Sequence, residues 1–223
     1  MKLTVSEAFY SLQGEGMTTG YPALFIRFSD CNLHCVWCDS QEVMSKTKEI
    51  DLSDLIGRKY FDRVIFTGGE PMLYQDEIKA AIKFINSSFP NRDFFYEIET
   101  NGTILPGQYF RDKFIQFNIS PKLANSGMSP SRRKAVENII ELTKEPLMSV
   151  KFVISAESDI EEIKEEFSEI FQKHKYLIYL MPAGASRKEL ETTAPMVAEL
   201  CIKLGLKFSN RQHIILWDTK KGV

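Results

Sequence analysis

Cys31, Cys35 and Cys38 stand in one short stretch, Cys31-Asn32-Leu33-His34-Cys35-Val36-Trp37-Cys38, at the spacing C-x3-C-x2-C, and they are three of the four cysteines in the sequence. Three soft thiolates on one loop can bind zinc or an iron–sulfur cluster. A structural zinc site is closed by four ligands, so this loop leaves a position to something else. His34, next to Cys35 in the chain, is sterically awkward as the missing zinc ligand. A cubane cluster held by only three thiolates leaves one iron open to a chelating ligand.

Other stretches carry groups of comparable interest. Leu12-Gln13-Gly14-Glu15-Gly16 sets two glycines around a carboxylate, the pattern of a loop whose backbone approaches another group closely. In Thr67-Gly68-Gly69-Glu70-Pro71 the paired glycines clear side chains from a turn, so backbone groups can reach a bound amino acid; Glu70 supplies an acceptor and Pro71 can open a helix. Glu97 and Glu99 alternate along a strand-like run and share a face, and both stand as candidates to meet a ligand. Cys201, inside an apolar helical run, reads as a buried small hydrophobe rather than a fourth thiolate. His213 lies in a strand-like stretch, 211–217, and has no assigned role.

These groups need elements to position them. Residues 23–28, 63–66, 94–98, 114–119, 150–154 and 176–180 are strand-like. Helices are predicted over about 78–85, 131–143, 160–171 and 188–204. The clearest has Ile160, Ile163, Phe167, Ile170 and Phe171 at three- and four-residue spacing, with Ser158-Asp159 as its cap. Alternating strands and helices require a parallel sheet with right-handed crossovers. Asp30-Cys31, Thr67 to Pro71, Glu99 to Gly102, Ser120-Pro121-Lys122 and Met181 to Gly184 each follow a strand, and groups gathered at carboxyl ends of strands are what a barrel's active face requires. A full eightfold barrel takes roughly 250 residues. The 223 residues, with about six strand–helix units, therefore predict an α/β fold that is an incomplete (β/α) barrel, in a single domain spanning 1–223.

The 28 basic and 30 acidic residues leave a net charge of −2, which gives no general attraction for nucleic acid or an anionic membrane. No stretch has the length of a bilayer span, and the first residues lack the long apolar core of a signal peptide, so a cytoplasmic protein is expected. Three clustered cysteines and a distant one do not make a disulfide framework in a chain of this size, and a reducing compartment keeps them available as thiolates.

The cysteine loop, with Trp37 just before its last cysteine, resembles that of the radical S-adenosylmethionine superfamily, and Thr67-Gly68-Gly69-Glu70-Pro71 resembles that superfamily's glycine-glycine-glutamate motif. The resemblance implies a radical SAM core with a [4Fe–4S] cluster on Cys31, Cys35 and Cys38. S-adenosylmethionine would chelate the open iron and be cleaved to a 5′-deoxyadenosyl radical, with Trp37 near the adenine and Glu70 near the methionine amino group.

A narrower resemblance runs along nearly the whole chain. Gln13-Gly14-Glu15-Gly16, Phe25-Ile26-Arg27, Cys38-Asp39-Ser40, Thr67 to Pro71, Glu99-Thr100-Asn101-Gly102 and Ser120-Pro121-Lys122 together resemble the 7-carboxy-7-deazaguanine synthase family. That family rearranges 6-carboxy-5,6,7,8-tetrahydropterin to 7-carboxy-7-deazaguanine with loss of ammonia, toward queuosine-type bases, using S-adenosylmethionine catalytically and Mg2+ as an auxiliary ion. The resemblance implies substrate contacts at Leu12, Gln13, Gly14, Arg27 and Thr67. Chemically, Arg27 can fork onto the substrate carboxylate while Gln13 and Glu15 read the polar ring edge. It implies S-adenosylmethionine contacts at Trp37, Cys38, Asp39, Gly69, Ser120, Pro121 and Lys122. At Ser40 it implies Mg2+, with serine keeping the oxygen ligand but fixing its rotamer less firmly than threonine. A homodimer and an electron donor such as flavodoxin complete what it implies. Two other readings share parts of the pattern. A glycyl-radical activase shares the cysteine loop but gives no reason for Gln13, Glu15, Arg27 and Ser40; a zinc-stabilised binding module would lack catalysis.

Overall fold

The computed structural model describes residues 1–56, 61–111 and 114–222. Its strands are β1 Lys2–Val5, β2 Glu7–Leu12, β3 Pro22–Phe28, β4 Lys48–Asp51, β5 Arg63–Gly68, β6 Phe95–Thr100, β7 Ile115–Ile119, β8 Met148–Ile154, β9 Ile178–Pro182 and β10 Lys207–Phe208. Eight form one sheet in the order β10-β9-β8-β7-β6-β5-β3-β2, and β1 pairs with β4 outside it. Within the large sheet only β2 and β3 pair antiparallel. Spatial order follows chain order without reversal, so right-handed crossovers all fall on one face. The sheet is open, with β2 and β10 at its edges.

Side chains along each strand alternate between the two faces. One parity, including Leu24, Ile26 and Phe28 of β3, Val64 and Phe66 of β5, Ile98 of β6, Phe117 of β7 and Phe152 of β8, is buried in a continuous apolar core. Ile78, Ile82 and Ile85 of the helix Gln75–Ser88, Ile139 of Val136–Leu142 and Val197 of Arg187–Leu204 belong to the same core. The other parity carries Arg27, Thr67, Glu97, Glu99, Gln116, Asn118 and Lys151. The sheet thus has a hydrocarbon face under helices and a polar inner face.

That inner face is organised on Glu97, which has no solvent exposure. Its carboxylate accepts hydrogen bonds from Arg63 Nη1, Gln13 Nε2 (3.2 Å), Thr18 Oγ1 (2.9 Å) and Asn118 Nδ2 (2.9 Å). Arg63 is further enclosed by the rings of Tyr21 and Phe95, whose centroids lie 4.7 and 5.3 Å from its guanidinium carbon. Through Gln13 and Thr18 the segment after β2 is drawn across the inner face, where it closes the space above Glu97.

All six expected strands form, and β1, β2, β4 and β10 lie outside the expected set. The helix expected over 160–171 breaks at Phe167 (φ −109°, ψ 29°) into Asp159–Glu166 and Ser168–Lys173. The break leaves Phe167 buried, edge-on to Phe152 with ring centroids 4.9 Å apart. Ser158 makes no side-chain cap there; Asp159 instead accepts from the backbone N–H groups of Ser155 and Ala156 at 2.7 and 3.1 Å. The expected 131–143 helix is likewise two pieces, Pro130–Arg133 and Val136–Leu142, parted at Ala135 (φ −140°). Residues 211–217, expected as a strand, contain the helix Gln212–Trp217. Of its apolar run only Ile214 is buried, so there is no alternating face to cover, and Arg187 donates to the Ile215 and Leu216 carbonyls at 2.9 and 3.0 Å, satisfying the helix's last acceptors. Cys201 lies buried in the Arg187–Leu204 helix, as expected, and burial pushes its thiol up to about 11.

Removing the Glu97 carboxylate strands a buried guanidinium. Glu97→Ala is expected to lower the unfolding free energy by about 3–5 kcal/mol in denaturant titration; a loss below about 1 kcal/mol, the scale of an exposed ion pair, would contradict this role.

Candidate active site

The cysteine loop leaves β3 at its carboxyl end and meets the turn that follows β5. Gly69 N donates to the Phe28 carbonyl at 3.0 Å and Glu70 N to the Asp30 carbonyl at 2.8 Å. A Cβ on Gly69 would stand 2.0 Å from the Asp30 carbonyl oxygen, and one on Gly68, whose φ is +122°, 2.2 Å from that of Phe28. Only glycine permits this approach, so the glycine pair is what joins the two motifs.

Glu70 turns away from the space they enclose. It has no solvent exposure, and its carboxylate accepts from Met72 N (2.9 Å), Thr100 Oγ1 (2.6 Å) and Asn101 N (2.7 Å), tying the end of β5 to the end of β6. Burial raises its pKa against the pull of these donors. Pro121 is also buried and, like Glu70, does not line the cavity described next.

At the carboxyl ends of the strands lies a cavity of about 900 Å³. Cys31, Cys35 and Cys38 line it, and none is in a disulfide. Trp37, Gly69, Ser120 and Lys122 stand beside them on the wall. Burial pushes the Cys31 and Cys35 thiols up, while the Leu33 N–H, 3.4 Å from Cys31 Sγ, and the Lys122 cation pull the other way. A thiolate in this place needs a cationic partner. Lys122, its own pKa lowered by burial, donates to the Ser120 carbonyl (2.7 Å) and hydroxyl (3.0 Å) and sits 5.6 Å from the Trp37 ring centroid. Among the described residues no three His, Cys, Asp or Glu side chains gather around a single metal-ion position. A cubane cluster takes its thiolates on separate irons, and three free cysteines on one cavity wall suit that demand.

Further round the wall are Leu12, Gln13, Gly14, Glu15, Arg27, Asp39, Ser40 and Thr67, so the expected substrate and Mg2+ positions share the cavity with the cysteines. Arg27 donates through Nε to Glu7 Oε1 (2.8 Å) and through Nη1 to Ser40 Oγ (3.3 Å), and Ser40 donates to Asp39 Oδ1 (3.0 Å). Of the two strand carboxylates, Glu99 lines the cavity and Glu97 does not. Glu99 accepts from Thr67 Oγ1 at 2.7 Å and from Gln13 Nε2 at 3.0 Å.

The structure adds two residues that the sequence did not single out, Lys151 and Arg211, and brings His213, which had no assigned role, to the same wall. Glu15 is bound by Lys151 Nζ and, at 2.9 Å, by Arg211 Nε. Burial opposes its ionisation, but the two cations prevail and hold it well below the usual carboxylate range. Asp39, also resisted by burial, is brought down to about 2 by Arg211. A Cβ on Gly14 would lie 2.1 Å from His213 Nδ1, and Gln212 N donates to the Gly14 carbonyl at 2.8 Å. The close approach signalled by the two-glycine loop is therefore with the segment 212–213. Lys151 does leave a trace in sequence, the one charge in the strand Met148–Ile154. Arg211 leaves none.

Residues 12–108 match the family described as a 4Fe-4S single cluster domain. The 7-carboxy-7-deazaguanine synthase of Halobacterium salinarum is 32% identical, over 97% of this chain and 91% of its own length. The chain belongs to the 7-carboxy-7-deazaguanine synthase family. It is an enzyme of the radical S-adenosylmethionine type. The synthase of Pyrobaculum aerophilum is 28% identical over 99% of this chain and 97% of its own. Among solved structures, QueE from Escherichia coli superposes with a TM-score of 0.66 at 24% identity, covering 95% of both chains. The protein anSMEcpe with bound AdoMet and a Kp18Cys peptide gives 0.60 at 14% identity, covering 89% of this chain and 67% of that one. The shared fold is α/β with a mostly parallel central sheet.

In this synthase-family chain the Glu15 clamp has a defined pH signature. Because the folded pKa lies below the ordinary 4.5, its stabilisation is complete above that value and is lost as pH falls below it. The thermal-stability advantage of the wild type over Glu15→Gln is expected to be largest near about pH 7 and to shrink below about pH 4.5. A difference that stays constant through the acid range would show that the carboxylate is not held ionised.

Proposed function

We propose that this cavity rearranges 6-carboxy-5,6,7,8-tetrahydropterin to 7-carboxy-7-deazaguanine and ammonia. The observation that carries the reading is the sharing of one cavity by three free thiols and by the set Arg27, Gln13, Thr67 and Glu99. Cys31, Cys35 and Cys38 are the residues to hold a [4Fe–4S] cluster, with Trp37, Gly69, Ser120 and Lys122 placed to receive S-adenosylmethionine. Bound there, the reduced cluster and its S-adenosylmethionine supply a carbon-centred radical, chemistry that no side chain offers.

The chain's own groups bind and orient. Arg27, steadied by Glu7, presents a planar fork suited to the substrate carboxylate. Glu99, fixed by Thr67 and Gln13, is an acceptor for the guanidine-like edge of the pterin. Glu15 has each oxygen on a cation, so it supports the loop while Gln13 and Glu99 read the ring. Ser40, whose hydroxyl lies beside the Asp39 carboxylate, would be the residue to hold Mg2+, an ion that often takes only one or two protein ligands and would there offset the negative charge of the substrate carboxylate. Holding both ends of the substrate fixes which hydrogen faces the radical.

The unreversed strand order and open edges support an incomplete barrel of about six strand–helix units in a single domain. Among the described residues no helix is long and apolar enough to cross a membrane. A reducing cytoplasm, an electron donor such as flavodoxin and a homodimeric assembly complete the reading.

Anaerobic reconstitution with iron and sulfide is expected to give a brown, oxygen-sensitive protein that forms 7-carboxy-7-deazaguanine from the carboxypterin, S-adenosylmethionine and a reductant. S-adenosylmethionine cleavage without the deazaguanine would favour another radical enzyme such as a glycyl-radical activase, and a colourless protein with one tight zinc would favour a binding module. Ser40→Ala should weaken Mg2+ dependence of turnover by roughly tenfold in apparent affinity, with iron content unchanged. Full activity of that variant with a chelator present would remove the Mg2+ site.

A further inference from the structure

Arg211 sits where three loops meet, and its side chain is only 12% exposed. Each nitrogen of its guanidinium serves a different loop. Nε donates to Glu15 Oε1 in the segment after β2 (2.9 Å), Nη1 to the Gly184 carbonyl after β9 (2.5 Å), and Nη2 to Asp39 Oδ2 after the cysteines. Two hydrogen-bond chains leave from these contacts. One runs through Asp39 to Ser40 Oγ (3.0 Å) and on to Arg27 Nη1 (3.3 Å). The other runs from Glu15, whose N–H donates to Gln13 Oε1 (3.2 Å), through Gln13 Nε2 to Glu99 (3.0 Å).

We propose that Arg211 is a positioning residue for the rearrangement, setting the span between Arg27 and Glu99 and so the length of acid that is held in reacting geometry. The inference rests on the substrate placement proposed above. A lysine could not replace it: an ammonium is a compact point charge, whereas the rigid planar fork directs donors to three loops at fixed angles. Gln212, next to Arg211 in the chain, holds the same loop as Glu15, its N–H donating to the Gly14 carbonyl at 2.8 Å.

The test uses anaerobically reconstituted wild type, Arg211→Lys, Arg211→Ala and Arg27→Ala, read by iron content, binding of the carboxypterin without reductant, and the ratio of 5′-deoxyadenosine released to deazaguanine formed. Iron content should hold at the wild-type level in both Arg211 variants, while carboxypterin binding weakens roughly 10–100-fold and the ratio rises. Added methylguanidine should restore binding in part to Arg211→Ala and not to Arg211→Lys. A lowered melting temperature with carboxypterin binding and ratio unchanged would reduce Arg211 to a structural clamp and overturn the proposal. If Arg211→Ala fails to fold, Asp39→Asn and Arg211→Lys carry the test: their effects on carboxypterin binding should be non-additive, and additive effects overturn it. Weakened binding in Arg27→Ala with wild-type binding in Arg211→Lys overturns this inference alone; the reverse pattern overturns the substrate placement on which it rests.

Discussion

Glu97 is an ionised-type side chain without access to water, set on the inner face of a sheet whose outer face is hydrocarbon. A carboxylate in that place is costly unless its lone pairs are taken up, and four donors from four parts of the chain take them up. The consequence reaches beyond stability. Gln13 and Thr18 must lie across the sheet to reach Glu97, and their segment then closes the space above it. Gln13 spans both levels, one amide nitrogen touching Glu97 below and Glu99 at the cavity wall. The polar inner face therefore depends on one satisfied buried charge, and the orientation of Glu99 follows from it.

The second constraint is a backbone contact. The cysteine loop and the glycine-pair turn are distant in sequence, yet their amides and carbonyls are hydrogen bonded and no Cβ fits between them. Glu70 adds the third strand end by accepting from β6 and the residue after it. Three strand ends are thus tied together, which suits a site that must hold a reactive group in place. Around it, Lys122, Lys151 and Arg211 put positive charge beside thiols and carboxylates that burial would otherwise neutralise.

Strand-end chemistry was legible because alternation and glycine placement are local properties: the parity of β5, β6 and β8 already sorts Thr67, Glu99 and Lys151 from the apolar core. Glu70 shows the limit. A carboxylate that caps its own turn and one that enters a cavity have the same neighbours in sequence, and only the position of Thr100 and Asn101 separates them. The 211–217 run shows another, since its isoleucines have strand propensity but the capping guanidinium of Arg187, far away in the chain, favours the helix. Arg211 was invisible for the same reason. Its meaning lies in Glu15, Gly184 and Asp39, which only the folded chain brings together.

The proposed function requires one cavity to hold the cluster on Cys31, Cys35 and Cys38 and the pterin between Arg27 and Glu99. An anaerobic crystal structure with S-adenosylmethionine and the carboxypterin bound tests it most directly. A [4Fe–4S] cluster is expected on those three cysteines, with the substrate carboxylate within hydrogen-bonding reach of Arg27 and the amino edge of the ring on Glu99. A pterin bound in the reverse orientation, or outside the cavity lined by the cysteines, would contradict it.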